Sequence, residues 1–248
     1  MSTLILALAA GAVIGLALGA LGGGGSVLAV PALIYLLGFS PAGATTASLV
    51  IVTLTSVTAL VAHARDGNVR RRTGLLFAAA GIGPAMLGGA LAGRIPAVVL
   101  TASFAVVAGV AALRMLRSRP AVEGAVTVRP GRAAVVGAGL GAVTGVLGVG
   151  GGFLAVPALV SVLGLRMRNA VGTSLLVITV NSLAALTTRA GTVEELDWAV
   201  VGPFVGAAIL GAWDGKRLSV KVSGHTLQRI FALVLLAVAA FMLIDAVL

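Results

Sequence analysis

Apolar runs separated by short polar breaks fill the chain. They fall at about 3–20, 26–38, 42–62, 74–93 and 97–116, and again at about 133–147, 152–164, 169–188, 198–213 and 227–247. Most approach the roughly 20 residues that a helix needs to cross a bilayer. The runs do not alternate, and they are rich in Ala, Leu and Gly. A spanning chain must satisfy its own backbone, so this pattern predicts helices rather than the strands of a closed barrel. Segments 26–38 and 152–164 are short, about 13 residues each against the roughly 20 of a full span. They are expected to be re-entrant or half-depth helices, with a short tilted span as the alternative. One stretch has the composition of a linker, Arg117 to Arg132, with Pro120, Glu123, Arg129 and Pro130. The predicted organisation is a membrane repeat over 1–117, a basic cytoplasmic linker over 118–132 and a second membrane repeat over 133–248.

The two sets of five segments match in order, and the match reaches individual residues. A shift of 126 carries Gly11, Gly15 and Gly19 onto Gly137, Gly141 and Gly145. It carries Gly22, Gly24 and Gly25 onto Gly148, Gly150 and Gly151, and Ala29-Val30-Pro31-Ala32-Leu33 onto five identical residues. Ser48-Leu49 falls on Ser174-Leu175, Thr53 on Thr179 and Ser56 on Ser182. In the fourth segments a shift of 123 pairs Gly83 with Gly206 and Gly88 with Gly211; in the fifth, 127 pairs Phe104-Ala105 with Phe231-Ala232. Glycine supplies 35 of 248 residues, so single glycine matches carry little weight. The five-residue identity and the ordered phase carry the duplication.

Composition narrows the class. Charged residues are 10% of the chain, against roughly a quarter in a soluble domain. Mean hydropathy is +1.16, so lipid is the solvent. The net charge of +10 fits the Lys and Arg excess of cytoplasmic loops. No basic helix is interleaved with aromatics, so nucleic acid is not expected as a partner. Without cysteine there is no disulfide framework, thiol nucleophile or thiolate metal site. Residues 1–20 lack a basic leader and read as a retained membrane segment rather than a cleaved one.

Charge also sets the orientation. The basic loop from His63 to Arg72 belongs in the cytoplasm. If the first two segments of each repeat return to their starting side, then Arg166, Arg168, Lys216, Arg217 and Lys221 fall inside as well. Glu194, Glu195 and Asp197 fall outside, and Arg94 and Arg189 are the only Lys or Arg left there. Each repeat then makes an odd number of net crossings, and the two run in opposite directions. The expected fold is an all-α polytopic membrane protein of two inverted-topology repeats, each with a Gly-broken or re-entrant helix. This is an architecture of secondary transporters.

The chemistry is expected at the breaks. Consecutive glycines each cost a helix about 1 kcal/mol relative to alanine, so Gly22, Gly23, Gly24 and Gly25 should unwind it. Helix restarting at Ser26 or Phe153 would then offer free N–H groups and a dipole suited to an anion. Gly148, Gly150, Gly151 and Gly152 form the second cluster, and Pro31 and Pro157 follow the two. The two N-termini are expected to meet near the midplane. Ser48, Thr173, Ser174 and Asn181 add neutral donors, as do Thr53, Thr55, Ser56, Thr179 and Ser182. No Asp, Glu, Lys or Arg lies in the middle of an apolar segment, which argues against a cation carrier. The Gly11, Gly15, Gly19 stripe and its counterpart read as a packing face. His63 and His225 read as surface residues at membrane edges.

The duplicated glycine stretch with Ala-Val-Pro-Ala-Leu, and the later Gly172-Thr173-Ser174-Leu175, resembles the TauE/SafE family of sulfite exporters. The likeness covers nearly the whole chain. It implies a multi-pass carrier in the bacterial plasma membrane for sulfite or small organosulfonate anions. Ser26 stands where the second copy has Gly152, and Thr46-Ala47 where it has Gly172-Thr173, so the two half-sites are expected to be unlike. The function expected is export of a small oxyanion by alternating access, with no catalytic residue, metal or cofactor. The partners expected are that anion and the lipid bilayer, and a homo-oligomer is left open. Two alternatives are an intramembrane enzyme using Ser26 and a non-transporting membrane assembly protein.

Overall fold

Each apolar segment becomes a helix, and polar or glycine breaks end it. The structure is a computed structural model describing residues 2–92, 96–117, 129–147, 152–187 and 196–247. The first half contains α1 (Ser2–Leu21), α2 (Gly24–Pro31, continued by a π-helical turn over Ala32–Leu36), α3 (Pro41–Arg65), α4 (Arg71–Ala92) and α5 (Ala97–Arg117). The second contains α6 (Pro130–Leu147), α7 (Gly152–Pro157, continued by a π-helical turn over Ala158–Val162), α8 (Met167–Thr187), α9 (Trp198–Lys221) and α10 (Gly224–Val247). No strand occurs among the described residues. Five stretches among them are long and apolar enough to cross a membrane: Thr3–Leu21, Gly43–Arg65, Met167–Thr187, Trp198–Lys221 and Gly224–Ile244. Large apolar side chains such as Ile5, Leu210 and Val135 are exposed, as a lipid-facing surface requires.

The two short segments end alike. In each a proline removes an N–H and the helix widens into a π turn. Gly38 and Gly164 then take φ of 70°. Phe39 donates its N–H to the Leu33 carbonyl (3.0 Å) and Leu165 to the Leu159 carbonyl (2.9 Å). Each of these cap bonds has its counterpart 126 residues on. The duplication is therefore local backbone geometry as well as sequence.

Packing joins the halves. α1 lies mainly on α9 and α4 mainly on α6, while α3 pairs with α8 and α5 with α10. Exchanging the halves maps each pairing onto itself or onto another. The glycine stripes make the closest approaches. Gly11, Gly15 and Gly19 face the backbone of Phe204, Ala208 and Ala212 in turn. Gly137 and Gly141 face Phe77 and Gly81. This geometry corrects the alignment of the fourth segments. Phe77 answers to Phe204 and Gly81 to Ala208, a shift of 127 rather than 123. Glycines recurring about one helical turn apart let the sequence match slip by a turn.

One end of the molecule is tied by polar contacts. Lys216 pairs with Asp66 at 2.6 Å. Arg168 donates to the Val220 and Val222 carbonyls at the end of α9 (3.0 and 3.3 Å). α9 itself runs beyond the apolar segment ending at Trp213, carrying Asp214, Lys216, Arg217 and Lys221 on helix.

Candidate functional site

The first glycine cluster makes a tight reversal. Gly22 has φ of 73°, a conformation that glycine adopts with little strain. Its N–H donates to the Leu18 carbonyl at 2.8 Å. Helix resumes at Gly24, so only Gly22 and Gly23 leave it, and the restart precedes Ser26. The cause is tertiary packing. Gly25 is buried against Ile14 and Leu18, which lays α2 back along α1 and outweighs the poor helix propensity of glycine. Similarly α7 starts at Gly152, before Phe153.

Gly22 also meets the second half of the chain. A Cβ there would overlap the Ser174 hydroxyl and crowd the Val171 backbone. Ser174 is fully buried and donates to the Val171 carbonyl at 2.8 Å. Its counterpart Ser48 donates to the Thr45 carbonyl at 2.8 Å. The correspondence continues along both helices. Thr53 donates to Leu49 (2.6 Å) as Thr179 does to Leu175 (2.8 Å). Ser56 donates to Thr53 (3.0 Å) as Ser182 does to Thr179 (3.3 Å). Thr55, the counterpart of Asn181, donates to Ile51 at 2.6 Å. Hydroxyls in helices bond back in this way, satisfying themselves locally.

The two series join where α3 crosses α8. Ser56 Oγ and Thr179 Oγ1 are 3.0 Å apart and buried. Each hydroxyl has a single proton, and each is also placed to donate to its own backbone. Three contacts thus share two protons. At about 1.5 Å per residue, Ser56 lies about 14 Å from the Arg65 end of α3 and Thr179 about 18 Å from the Met167 end of α8. The crossing is near the middle of both helices.

The Gly22 turn is elsewhere. Gly19 is level with His63 in the last turn of α3, so the turn lies toward one end of the bundle. α1 has 20 residues, about 30 Å of helix, before the glycines begin. Gly148, Gly150 and Gly151 lie outside the described residues.

The other expected site residues divide. Pro31 and Pro157 precede the π turns, with Pro157 buried and Pro31 half-buried. Gly23 and Gly152 are buried, and Gly24 opens α2. Ser26 and Phe153 lie on α2 and α7, and their side chains are outside the description. Thr173 is occupied structurally, its hydroxyl accepting the Arg70 N–H at 3.1 Å. Gly172 beside it abuts Asn68, so this part of α8 anchors the loop between α3 and α4. Asn181 is half-buried, and its buried Oδ1 has no hydrogen-bond partner. Turning the amide over would present two donors at that point.

His63 departs from expectation. It is 2% exposed, with Nε2 at 3.0 Å from the Gly19 carbonyl and Nδ1 buried without a partner. His225 is half-buried, and its Nδ1 is also unpartnered. The signal for His63 was its spacing. It follows Ser56 by seven residues, two helical turns, which places it on the seam face of α3.

Comparison with known proteins agrees with this reading of the class. A family model described as "Sulfite exporter TauE/SafE" matches residues 7–242. Two proteins from two strains of Xylella fastidiosa, each named "Probable membrane transporter protein", are 35% and 36% identical to the chain. Each alignment covers 97% of this chain and 95% of the relative. No solved structure matches. These likenesses assign transport rather than catalysis, and the chain belongs to the TauE/SafE sulfite exporter family.

Proposed function

We propose that the protein exports a small oxyanion, sulfite or an organosulfonate, across the bacterial plasma membrane by alternating access. The observation that carries this reading is the buried seam of hydroxyls between α3 and α8, with the Gly22 turn against Ser174. Neutral donors suit an anion that must be released again. Ser48 and Ser174 are held by one back-bond each, which a hydroxyl gives up for about 1 kcal/mol when it rotates toward a ligand. A donor bond to an ionised oxygen is roughly twice as strong as a neutral one, so the exchange favours binding. Asn181 adds an amide whose oxygen is unmatched.

The mechanism follows from inverted repeats. Three features support them. Equivalent helices exchange partners between the halves. α1 runs parallel to α9, and α4 parallel to α6, because residue numbers rise together along each contact. α8 begins beside the loop where α3 ends, so these equivalent helices run in opposite senses. The Lys216–Asp66 pair and the bonds of Arg168 to the end of α9 gather basic residues at one end, which supports reading that end as cytoplasmic. Rocking the body of α1, α3 and α9 against that of α4, α6 and α8 would then open the seam to each side in turn.

Purified protein in proteoliposomes tests the reading. Sulfite, sulfoacetate, sulfate and thiosulfate are offered one at a time. Flux of sulfite or an organosulfonate above empty vesicles is expected. No flux of any of the four in either direction would sink the proposal.

A further inference from the structure

His63 is the one titratable side chain among the buried residues described. A carbonyl only accepts, so the bond to Gly19 puts the hydrogen on Nε2 and leaves Nδ1 with a bare lone pair. That nitrogen is buried and unpartnered. His63 lies in the last turn of α3, and Gly19 in the last turn of α1. The negative ends of two helix dipoles therefore converge on the ring.

The charged groups around it are few. α3 contributes exposed Arg65, the turn after it exposed Asp66, and α9 contributes Lys216, which pairs with Asp66. Arg168 at the start of α8 is engaged by the end of α9, and Arg70 to Arg72 at the start of α4 are exposed. α1 and α2 carry no titratable residue.

A counter-charge would add to what the neutral donors give an oxyanion in the seam, because a buried ion is costly unless it is paired as well as hydrogen-bonded. None of the buried side chains described is permanently cationic. An isolated imidazolium is disfavoured there for the same reason, whereas the two charges together offset each other. The Gly22 turn, three residues beyond Gly19, touches Ser174, so both would lie at one end of the seam. The repeat adds a contrast: the shift of 126 sets His63 against Arg189, a switchable cation against a permanent one.

We propose that His63 takes up one proton on Nδ1 as the anion binds, so that each anion moves with one proton. The inference rests on the carrier reading above. Only an N–H bond forms and breaks; the proton comes from water on the loading side and leaves to water on the other. By linkage, the anion favours the proton by the same factor as the proton favours the anion.

Two measurements test it, both with sulfite as the probe. The chain has two histidines, so a His225→Gln variant leaves His63 as the single imidazole for nitrogen NMR. Titration between about pH 5 and 8 is expected to show sulfite moving the Nδ1 protonation midpoint up by about two units, a hundredfold coupling, so that binding between the two midpoints takes up most of one proton. In proteoliposomes, His63→Gln keeps a donor for Gly19. It is expected to move sulfite without the proton that His63 carries in the parent, so its proton-to-sulfite ratio falls by about one. A midpoint that ignores saturating sulfite overturns the inference, as does an unchanged proton-to-sulfite ratio. If His63→Gln does not fold, the imidazole titration decides alone. Absence of counterflow of sulfite, sulfoacetate, sulfate and thiosulfate alike in the parent protein overturns the carrier reading itself, and this inference with it.

Discussion

The α1/α9 and α3/α8 interfaces both join the two halves through small residues, yet they are built for different ends. Along α1, Gly11, Gly15 and Gly19 bring backbone against backbone, and Gly211 and Gly215 of α9 answer by fitting against Ala12 and Leu16. Nothing there can rearrange without opening the contact. Along α3 and α8 the contacts are hydroxyls, each with a local bond in hand and one proton too few at the crossing. That interface can exchange hydrogen bonds without separating. Small residues alone therefore do not identify a transport path. The first pair is suited to move as one body, and the second to accept a polar guest.

The largest effect should come from crowding the glycine face. A Cβ on Gly15 would overlap the Ala208 carbonyl, which is backbone and cannot swing away. Gly15→Leu is expected to destabilise by about 3 kcal/mol or more, through overpacking, and to abolish folded yield in detergent. Gly206→Ala, on α9 where a Cβ meets open space, is the control. It should be neutral or stabilising by up to about 1 kcal/mol, because alanine is the better helix former. Thermal melting with size-exclusion chromatography reads both. Equal behaviour of the two variants would remove the distinction between a locked face and a free one.

An intermediate effect belongs to the Gly22 turn, where the two kinds of interface meet. Gly22→Ala forces a side chain into a left-handed conformation, about 1–2 kcal/mol, and drives it onto Ser174. Ser174→Ala should recover part of the loss in the double variant, while the conformational share and the contact with Val171 remain. Melting temperatures of the two single variants and the double give the coupling. Strict additivity would mean that the turn and α8 are not in contact.

Much of this was legible in the sequence, and the failures have physical causes. Apolar run lengths located the helices because lipid rewards continuous hydropathy. They missed the end of α9, where Asp214 to Lys221 stay helical after the apolar stretch is over. Four glycines overstated the break, since propensity says nothing of the contact that Gly25 makes with α1. The fourth-segment alignment slipped by a turn because glycine was matched to glycine, whereas packing matches Gly81 to Ala208. The hydroxyls were visible as a set, but their order along the seam depends on how α3 crosses α8. His63 looked peripheral because it stands near the end of an apolar run; burial came from α1, folded against that same end.

The smallest effect on stability, and the sharpest contrast, should come from the crossing itself. Ser56→Ala removes one hydroxyl from a site with three contacts and two protons, so Thr179 keeps its bond to Leu175 and no donor is orphaned. Thr179→Val likewise leaves Ser56 its bond to Thr53. A double-mutant cycle is therefore expected to give a coupling of about 0.6 kcal/mol or less, the usual size for such bonds between membrane helices. Sulfite flux should respond more strongly. Each variant takes away a group that can turn toward the anion, and one lost bond to a charged group, about 1.5–3 kcal/mol, weakens binding roughly tenfold or more. A coupling above about 2 kcal/mol would show the crossing to be held as firmly as the glycine face. Unchanged flux in both variants would leave the hydroxyls with a packing role only, and the two interfaces would then differ in chemistry but not in use.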